Sequence, residues 1–121
     1  RKLIYLLEKL GIDNFKINDA NDAFFIGAYN KFSNYQDLFK LKKEFIIDLD
    51  SEPLSFVSVN LHQISMLKAF DIFNLVNNKW EDPQSVCIGI GLDRLILILY
   101  SIYNCDSHLI KEKLIHLDNS I

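Results

Sequence analysis

Six consecutive residues, Gly89-Ile90-Gly91-Leu92-Asp93-Arg94, carry the densest chemical information in the sequence. Glycine is scarce in this chain, four residues in all, yet two of them stand two apart at the end of an apolar run. Missing side chains at a strand end let a flat ligand approach the backbone closely. Arg94 follows at the first turn of an expected helix. A guanidinium there adds a fixed positive charge and a fork of donors to a helix end that is already positive, a combination suited to phosphate oxygens. The competing reading is that the glycines are a sheet-packing device and that Asp93-Arg94 only begins a helix. Asn60 and His62 form a second constellation. They lie two apart on an expected strand and so share one face, which is either a polar patch over a substrate cleft or the solvent side of a half-buried strand. Cys87 sits in an apolar strand, where a buried structural thiol is the ordinary occupant, and one thiolate cannot build a zinc site. Glu44 reads as a hairpin carboxylate that magnesium near phosphates would also accept. Cys105, His108 and His116 read as peripheral.

The elements that must position these groups follow from periodicity. Leu3, Leu6, Leu7 and Leu10 recur at helical spacing, and Gly11 stands where a helix stop is expected. Phe15-Lys16-Ile17 alternates like a short strand, 18–22 is turn-rich, Phe24-Phe25 reads as a buried anchor, and 30–34 reads as a loop. Residues 39–49 alternate, with Phe45, Ile47 and Leu49 inward against Lys40, Lys42 and Asp48, and 55–61 alternates more plainly. Between them Asp50-Ser51-Glu52-Pro53 supplies turn chemistry, which predicts an antiparallel hairpin with Pro53 outside both strands. Residues 64–75 have helical spacing ended by Asn77-Asn78, Asp82-Pro83 marks a turn, and 85–92 reads as a buried strand. A strongly apolar helix over 93–103, opening with an acid at its positive end, and a final short helix complete the chain. The pattern predicts one α+β domain over residues 1–121, or part of one.

Composition bounds the function. The chain has 121 residues, half of them hydrophobic and 24% charged, which is globular rather than disordered. Thirteen basic against sixteen acidic side chains leave a net charge of −3, which argues against a protein whose main task is gripping phosphate backbones. No apolar run reaches bilayer length, and no signal peptide is visible. Two cysteines are too few for a disulfide framework, so a cytoplasmic setting is expected.

Several segments then point to a family. The glycine strand leading into Asp93-Arg94 resembles motif 3 of the class II aminoacyl-tRNA synthetase catalytic core, an antiparallel sheet flanked by helices. Ser58-Val59-Asn60-Leu61-His62-Gln63 is similar to the S-F-N-Y-H-Q run of the amino acid–carrier protein ligases, relatives of the atypical seryl-tRNA synthetases. Ala20-Asn21-Asp22-Ala23-Phe24-Phe25 resembles that family's A-N-D-P-F-F, Leu41-Lys42-Lys43-Glu44-Phe45 its L-K-Y-E-L, and Gln84-Ser85-Val86-Cys87 its H-T-A-C. The resemblance spans about residues 20–103. It departs after Gln63, where the family's D-H-F-G is Ile64-Ser65-Met66-Leu67, and at Ala23 and Gln84, which replace a proline and a histidine. Motifs 1 and 2 have no counterpart in these residues.

The resemblance implies the C-terminal part of one class II synthetase-like catalytic domain. The longer protein would activate a small amino acid with ATP and Mg2+ and pass it to the phosphopantetheine thiol of a carrier protein. Arg94, Gly89 and Gly91 would bind ATP, Asn60 and His62 would address the substrate, and Cys87 would be one of three zinc ligands, the others lying outside the chain. A homodimer is implied for the full-length protein, with no membrane. A seryl-type tRNA synthetase is the alternative within the class, although the net charge counts against tRNA as a partner. A truncated, non-catalytic paralogue acting as a binding module is the alternative outside it. The apolar helix after Arg94 and an incomplete sheet are expected to leave an unpartnered face and open edges.

Overall fold

The computed structural model describes residues 1–22, 30–62, 74–76, 79–81 and 84–118. The elements are α1 (Lys2–Lys9), β1 (Lys16–Asp19), α2 (Asn30–Phe39), β2 (Lys42–Leu49), β3 (Glu52–His62), β4 (Asn74–Val76), β5 (Lys79–Glu81), β6 (Ser85–Ile90), α3 (Leu92–Ile102) and α4 (Ser107–Asp118). Four strands form an antiparallel sheet in the order β1-β2-β3-β6, and β4 pairs with β5 as a separate antiparallel ribbon with Leu75 opposite Trp80. The expected α+β class with an antiparallel sheet and helices is therefore present. Among the described residues no helix is long and apolar enough to cross a membrane.

The chain divides into two compact units. The first comprises Arg1–Lys16, Phe45–Phe56 and Ile90–Ile121; the second comprises Ile17–Glu44 and Val57–Gly89. The core of the first unit gathers Leu7, Leu10, Ile12, Phe45, Phe56, Ile98 and Leu99, all at most 5% exposed. Phe15 packs on Phe45 at 5.2 Å between ring centroids and meets Phe56 edge-on at 6.4 Å, arrangements that aromatic quadrupoles favour. In the second unit Val57 is buried at 1% exposure.

Helix ends are set by one recurring device. At the end of α1, Gly11 takes φ +78° while its N–H donates to the Glu8 carbonyl and the Ile12 N–H donates to the Leu7 carbonyl, both at 2.9 Å. That pair of bonds, with buried Ile12 and Leu7 beside it, is the Schellman motif. The same pattern ends α2 at Lys40 (φ 50°, with Leu41 N–H to Gln36) and α3 at Asn104 (φ 49°, with Cys105 N–H to Tyr100). Glycine is free to enter this left-handed conformation, asparagine less so, and lysine still less. Asp106 then caps α4, its Oδ1 accepting from the His108 and Leu109 N–H groups at 3.0 Å.

Several expectations need correction. Residues 30–34 lie in α2 rather than in a loop, and Phe39 ends that helix instead of opening β2. The last turn of α2 is bonded from outside, Asp37 by Asn21 and Gln36 by Asp22. The hairpin turn narrows to Asp50-Ser51, both at positive φ, which is the two-residue type that matches strand twist. Pro53 consequently falls inside β3, not outside it. Counting from the two-residue loop, Pro53 pairs across from Asp48 at a position that exchanges no backbone bonds with β2, so its missing N–H costs nothing there. Asn74 and Leu75, expected at a helix end, belong to β4. The rest of that helix (64–73), Phe24-Phe25, Asn77-Asn78 and Asp82-Pro83 lie outside the described residues. Finally, β6 is exposed rather than buried and lies at the end of the strand order among the described residues, with Val86, Ile88 and Ile90 at 55, 52 and 43% exposure.

The Tyr103 hydroxyl donates to the Leu10 carbonyl at 2.9 Å, satisfying a carbonyl at the end of α1. A Cβ at Gly11 would stand 2.5 Å from that hydroxyl. Gly11→Ala is therefore expected to cost about 2–3 kcal/mol, from the left-handed backbone and the displaced hydrogen bond together. Tyr103→Phe, which loses only the bond, is expected to cost about 1 kcal/mol. Urea denaturation of both variants measures the difference.

Candidate functional site

The functional candidates fall into the two units separately. In the first unit, β6 passes into α3 at Gly91, whose N–H donates to the Phe56 carbonyl at 2.9 Å and whose own carbonyl accepts from Leu95 N–H at 2.9 Å. Gly91 is the N-cap of α3 with extended backbone, and Asp93 supplies the acid in the first turn. Gly91 has ordinary negative φ. A Cβ there would lie 3.4 Å from Arg94 Cδ and 3.6 Å from the Phe56 carbonyl oxygen. The Arg94 stem thus folds back along the bare backbone of Gly91, and its Nη1 donates to the Ser55 carbonyl. This leaves the guanidinium exposed but tethered, with one of its five N–H donors engaged.

In the second unit, Asn60 and His62 are half-buried on β3, and Cys87 and Gly89 are exposed on β6. A Cβ at Gly89 would stand 3.0 Å from Ser58 Oγ. Ser58 and Gly89 therefore share a face of the sheet. Strand alternation places Asn60 and His62 on that face with Ser58, and Cys87 with Gly89. Among the described residues no side-chain partner engages Asn60, His62 or Cys87. The result, among the described residues, is a polar strip of hydroxyl, amide, imidazole and thiol on one face of the sheet. The space expected to admit a flat ligand over the glycines is occupied in part by the protein's own Ser58 hydroxyl and Arg94 stem.

A zinc ion needs several converging ligands. Among the described residues no three His, Cys, Asp or Glu side chains converge. Cys87 could supply one thiolate, and the described residues do not by themselves compose a zinc site. Glu44 is engaged by Lys42 Nζ at 3.1 Å. Cys105 is exposed in the loop before α4, and His108 and His116 are exposed on that helix.

Pattern reading missed the most densely bonded cluster of the second unit. Lys42, expected to face outward, is 6% exposed. Its ammonium pairs with Asp22 at 2.5 Å and with Glu44, while Gln36 donates to the other Asp22 oxygen at 2.7 Å and accepts from the Asp22 N–H at 2.9 Å. The Ala20 N–H donates to the Lys42 carbonyl at 3.0 Å, so segments 20–22 and 41–44 meet directly. The signal in the sequence was weak: an acid in a turn-rich cluster and a lysine two residues from a glutamate. No family model matches this chain, and no curated protein matches it.

Burial works against both charges of the pair, yet their mutual hydrogen bond outweighs it. Asp22 is held below the ordinary carboxylate range by Lys42 and Gln36, and Lys42 is raised above the ordinary lysine range by Asp22 and Glu44. A lowered acid stabilises the fold above its unfolded pKa and loses that contribution as pH falls through its folded value. A raised base stabilises below its unfolded pKa and loses the contribution as pH rises through its folded value. Lys42→Met is accordingly expected to cost about 3 kcal/mol between roughly pH 5 and 9, with the deficit shrinking at both extremes. Denaturant titrations of wild type and variant across pH test this directly.

Proposed function

We propose that this chain contributes to ATP-dependent activation of a small amino acid and its transfer to the phosphopantetheine thiol of a carrier protein. The observation that carries the reading is the tether of Arg94. Its stem lies on Gly91 and its Nη1 on the Ser55 carbonyl, at the mouth of a helix that follows a glycine-bearing strand. A guanidinium fixed in this way loses less freedom on meeting a phosphate than one on a free arm, and its unused donors suit two phosphate oxygens at once.

In the first step an amino-acid carboxylate oxygen attacks the α-phosphorus of ATP, the bond to the bridging oxygen breaks, and pyrophosphate leaves. Arg94 would offset charge on the triphosphate as it develops, the kind of preorganised stabilisation on which such displacement depends. In the second step the carrier thiolate attacks the acyl carbonyl and AMP leaves. Asn60 and His62, on one face of β3, would orient the substrate through the amide and the imidazole. Mg2+ would neutralise phosphate charge when bound. A zinc ligand role for Cys87 depends on further ligands outside the described residues. The substitution of D-H-F-G by Ile64-Ser65-Met66-Leu67 favours a second reading, a nucleotide-binding module without catalysis.

Arg94→Ala is expected to weaken ATP binding by at least tenfold, the loss typical of a charge-assisted hydrogen bond. Isothermal titration with ATP measures it, and unchanged affinity overturns the assignment. Amino acid–dependent pyrophosphate exchange by the full-length protein separates the two readings. Exchange with a small amino acid supports the ligase, while ATP binding without exchange for any amino acid leaves the binding module. Acylation of tRNA in place of carrier would move the protein to the seryl-type synthetases.

A further inference from the structure

The ion cluster around Lys42 and the polar strip on β3 and β6 belong to one face of the sheet. The Leu61 N–H donates to the Leu41 carbonyl at 2.7 Å, while the next carbonyl of β2, that of Lys42, accepts from the Ala20 N–H on the other side. Leu41 and Leu61 are therefore a bonded pair. The register then sets Lys42 opposite Asn60 and Glu44 opposite Ser58, in the non-bonded positions where side chains stand closest. Counting from the Asp50-Ser51 turn would instead set Val59 opposite Lys42 and Val57 opposite Glu44. The difference of one residue is a bulge in β3, and Phe56 and Val57, buried in succession, mark its place. The bulge turns Ser58 and Asn60, in place of two valines, to the face that carries Lys42 and Glu44. On the other side of β3, the Gly91 N–H bond to Phe56 sets Gly89 opposite Ser58 and Cys87 opposite Asn60. Two neighbouring rows result, Glu44 with Ser58 and Gly89, and Lys42 with Asn60 and Cys87, all within the second unit.

Charge on this face is unbalanced. One ammonium, that of Lys42, answers two carboxylates, Asp22 and Glu44, which leaves one negative charge in excess. Asp22 is engaged on both oxygens, by Lys42 and by Gln36. Among the described residues Glu44 meets Lys42 through Oε1 alone, and its side chain is 25% exposed against 8% for Lys42. The excess charge thus reaches the surface at Glu44, beside the Ser58 hydroxyl and diagonal to the Asn60 amide. A carboxylate, a hydroxyl and an amide in this arrangement suit a small ligand with a primary ammonium next to a carboxylate. From this we infer that Glu44 receives the α-ammonium of the amino acid, with Ser58 beside it and the Asn60 amide donating to the carboxylate end. The inference rests on the ligase reading and names the group by which its substrate is chosen. A hydroxy acid of the same size would leave the carboxylate without its cation and is rejected for that reason.

Pyrophosphate exchange by the full-length protein tests it, with glycine and glycolate, or alanine and lactate, as paired substrates. Glu44→Gln keeps the side-chain shape and an oxygen for Lys42. It is expected to raise the KM for the amino acid at least tenfold and to leave the KM for ATP unchanged. The preference in kcat/KM for the amino acid over the hydroxy acid is expected to fall at least tenfold. That ratio is taken within one variant, so a loss of folded protein does not move it. Wild-type exchange with an unchanged ratio in Glu44→Gln overturns the assignment of Glu44 and leaves the ligase reading standing. A rise in the KM for ATP alone also overturns it, being the mark of magnesium at this carboxylate. No exchange by the wild type with any amino acid overturns the ligase reading, and this inference with it.

Discussion

The hydrogen bond from the Gly91 N–H to the Phe56 carbonyl is a small contact on which much of the molecule turns. It fixes where β6 ends and α3 begins, and it sets which residues of β6 face β3. Through that register Ser58 comes to stand over Gly89. The same junction leaves a bare patch of backbone on which the Arg94 stem lies, bringing the guanidinium to the Ser55 carbonyl. A shift of one residue at this point would turn every side chain of β6 to the opposite face.

Both glycines of this segment serve packing first. Gly91 has unremarkable backbone angles and lies in ordinary van der Waals contact with the arginine stem, while Gly89 leaves room for a serine hydroxyl. The chemistry they support is indirect: they let neighbouring polar groups approach the sheet closely. A similar economy governs the second unit, where buried Lys42 draws together a turn, a helix and a strand through Asp22, Gln36 and Glu44. A charge this deep is tolerated because each of its near neighbours answers it.

What could be read from the sequence was local. Gly11 marked the end of α1 because glycine enters the left-handed region freely, and the three-turn apolar run after Arg94 marked α3. Lys40 and Asn104 end helices by the same geometry, but neither residue type announces it. The last turn of α2 is held by Asn21 and Asp22 through Asp37 and Gln36, contacts that its own periodicity does not announce. Lys42 was assigned outward because alternation counts polar residues as exposed, and its acid partner lies twenty residues away. The apolar run of β6 gave its strand but not its place in the sheet, since edge and centre share the same residue types. At the candidate site the residue identities were legible, whereas the tether of Arg94 to Ser55 spans 39 positions and leaves no local trace.

The bond between the Tyr103 hydroxyl and the Leu10 carbonyl joins positions 93 residues apart, close to the full span of the chain. During synthesis, α1 leaves the ribosome long before the tyrosine that completes its terminus. Closing so large a loop makes for high contact order and a late, slow consolidation of the first unit.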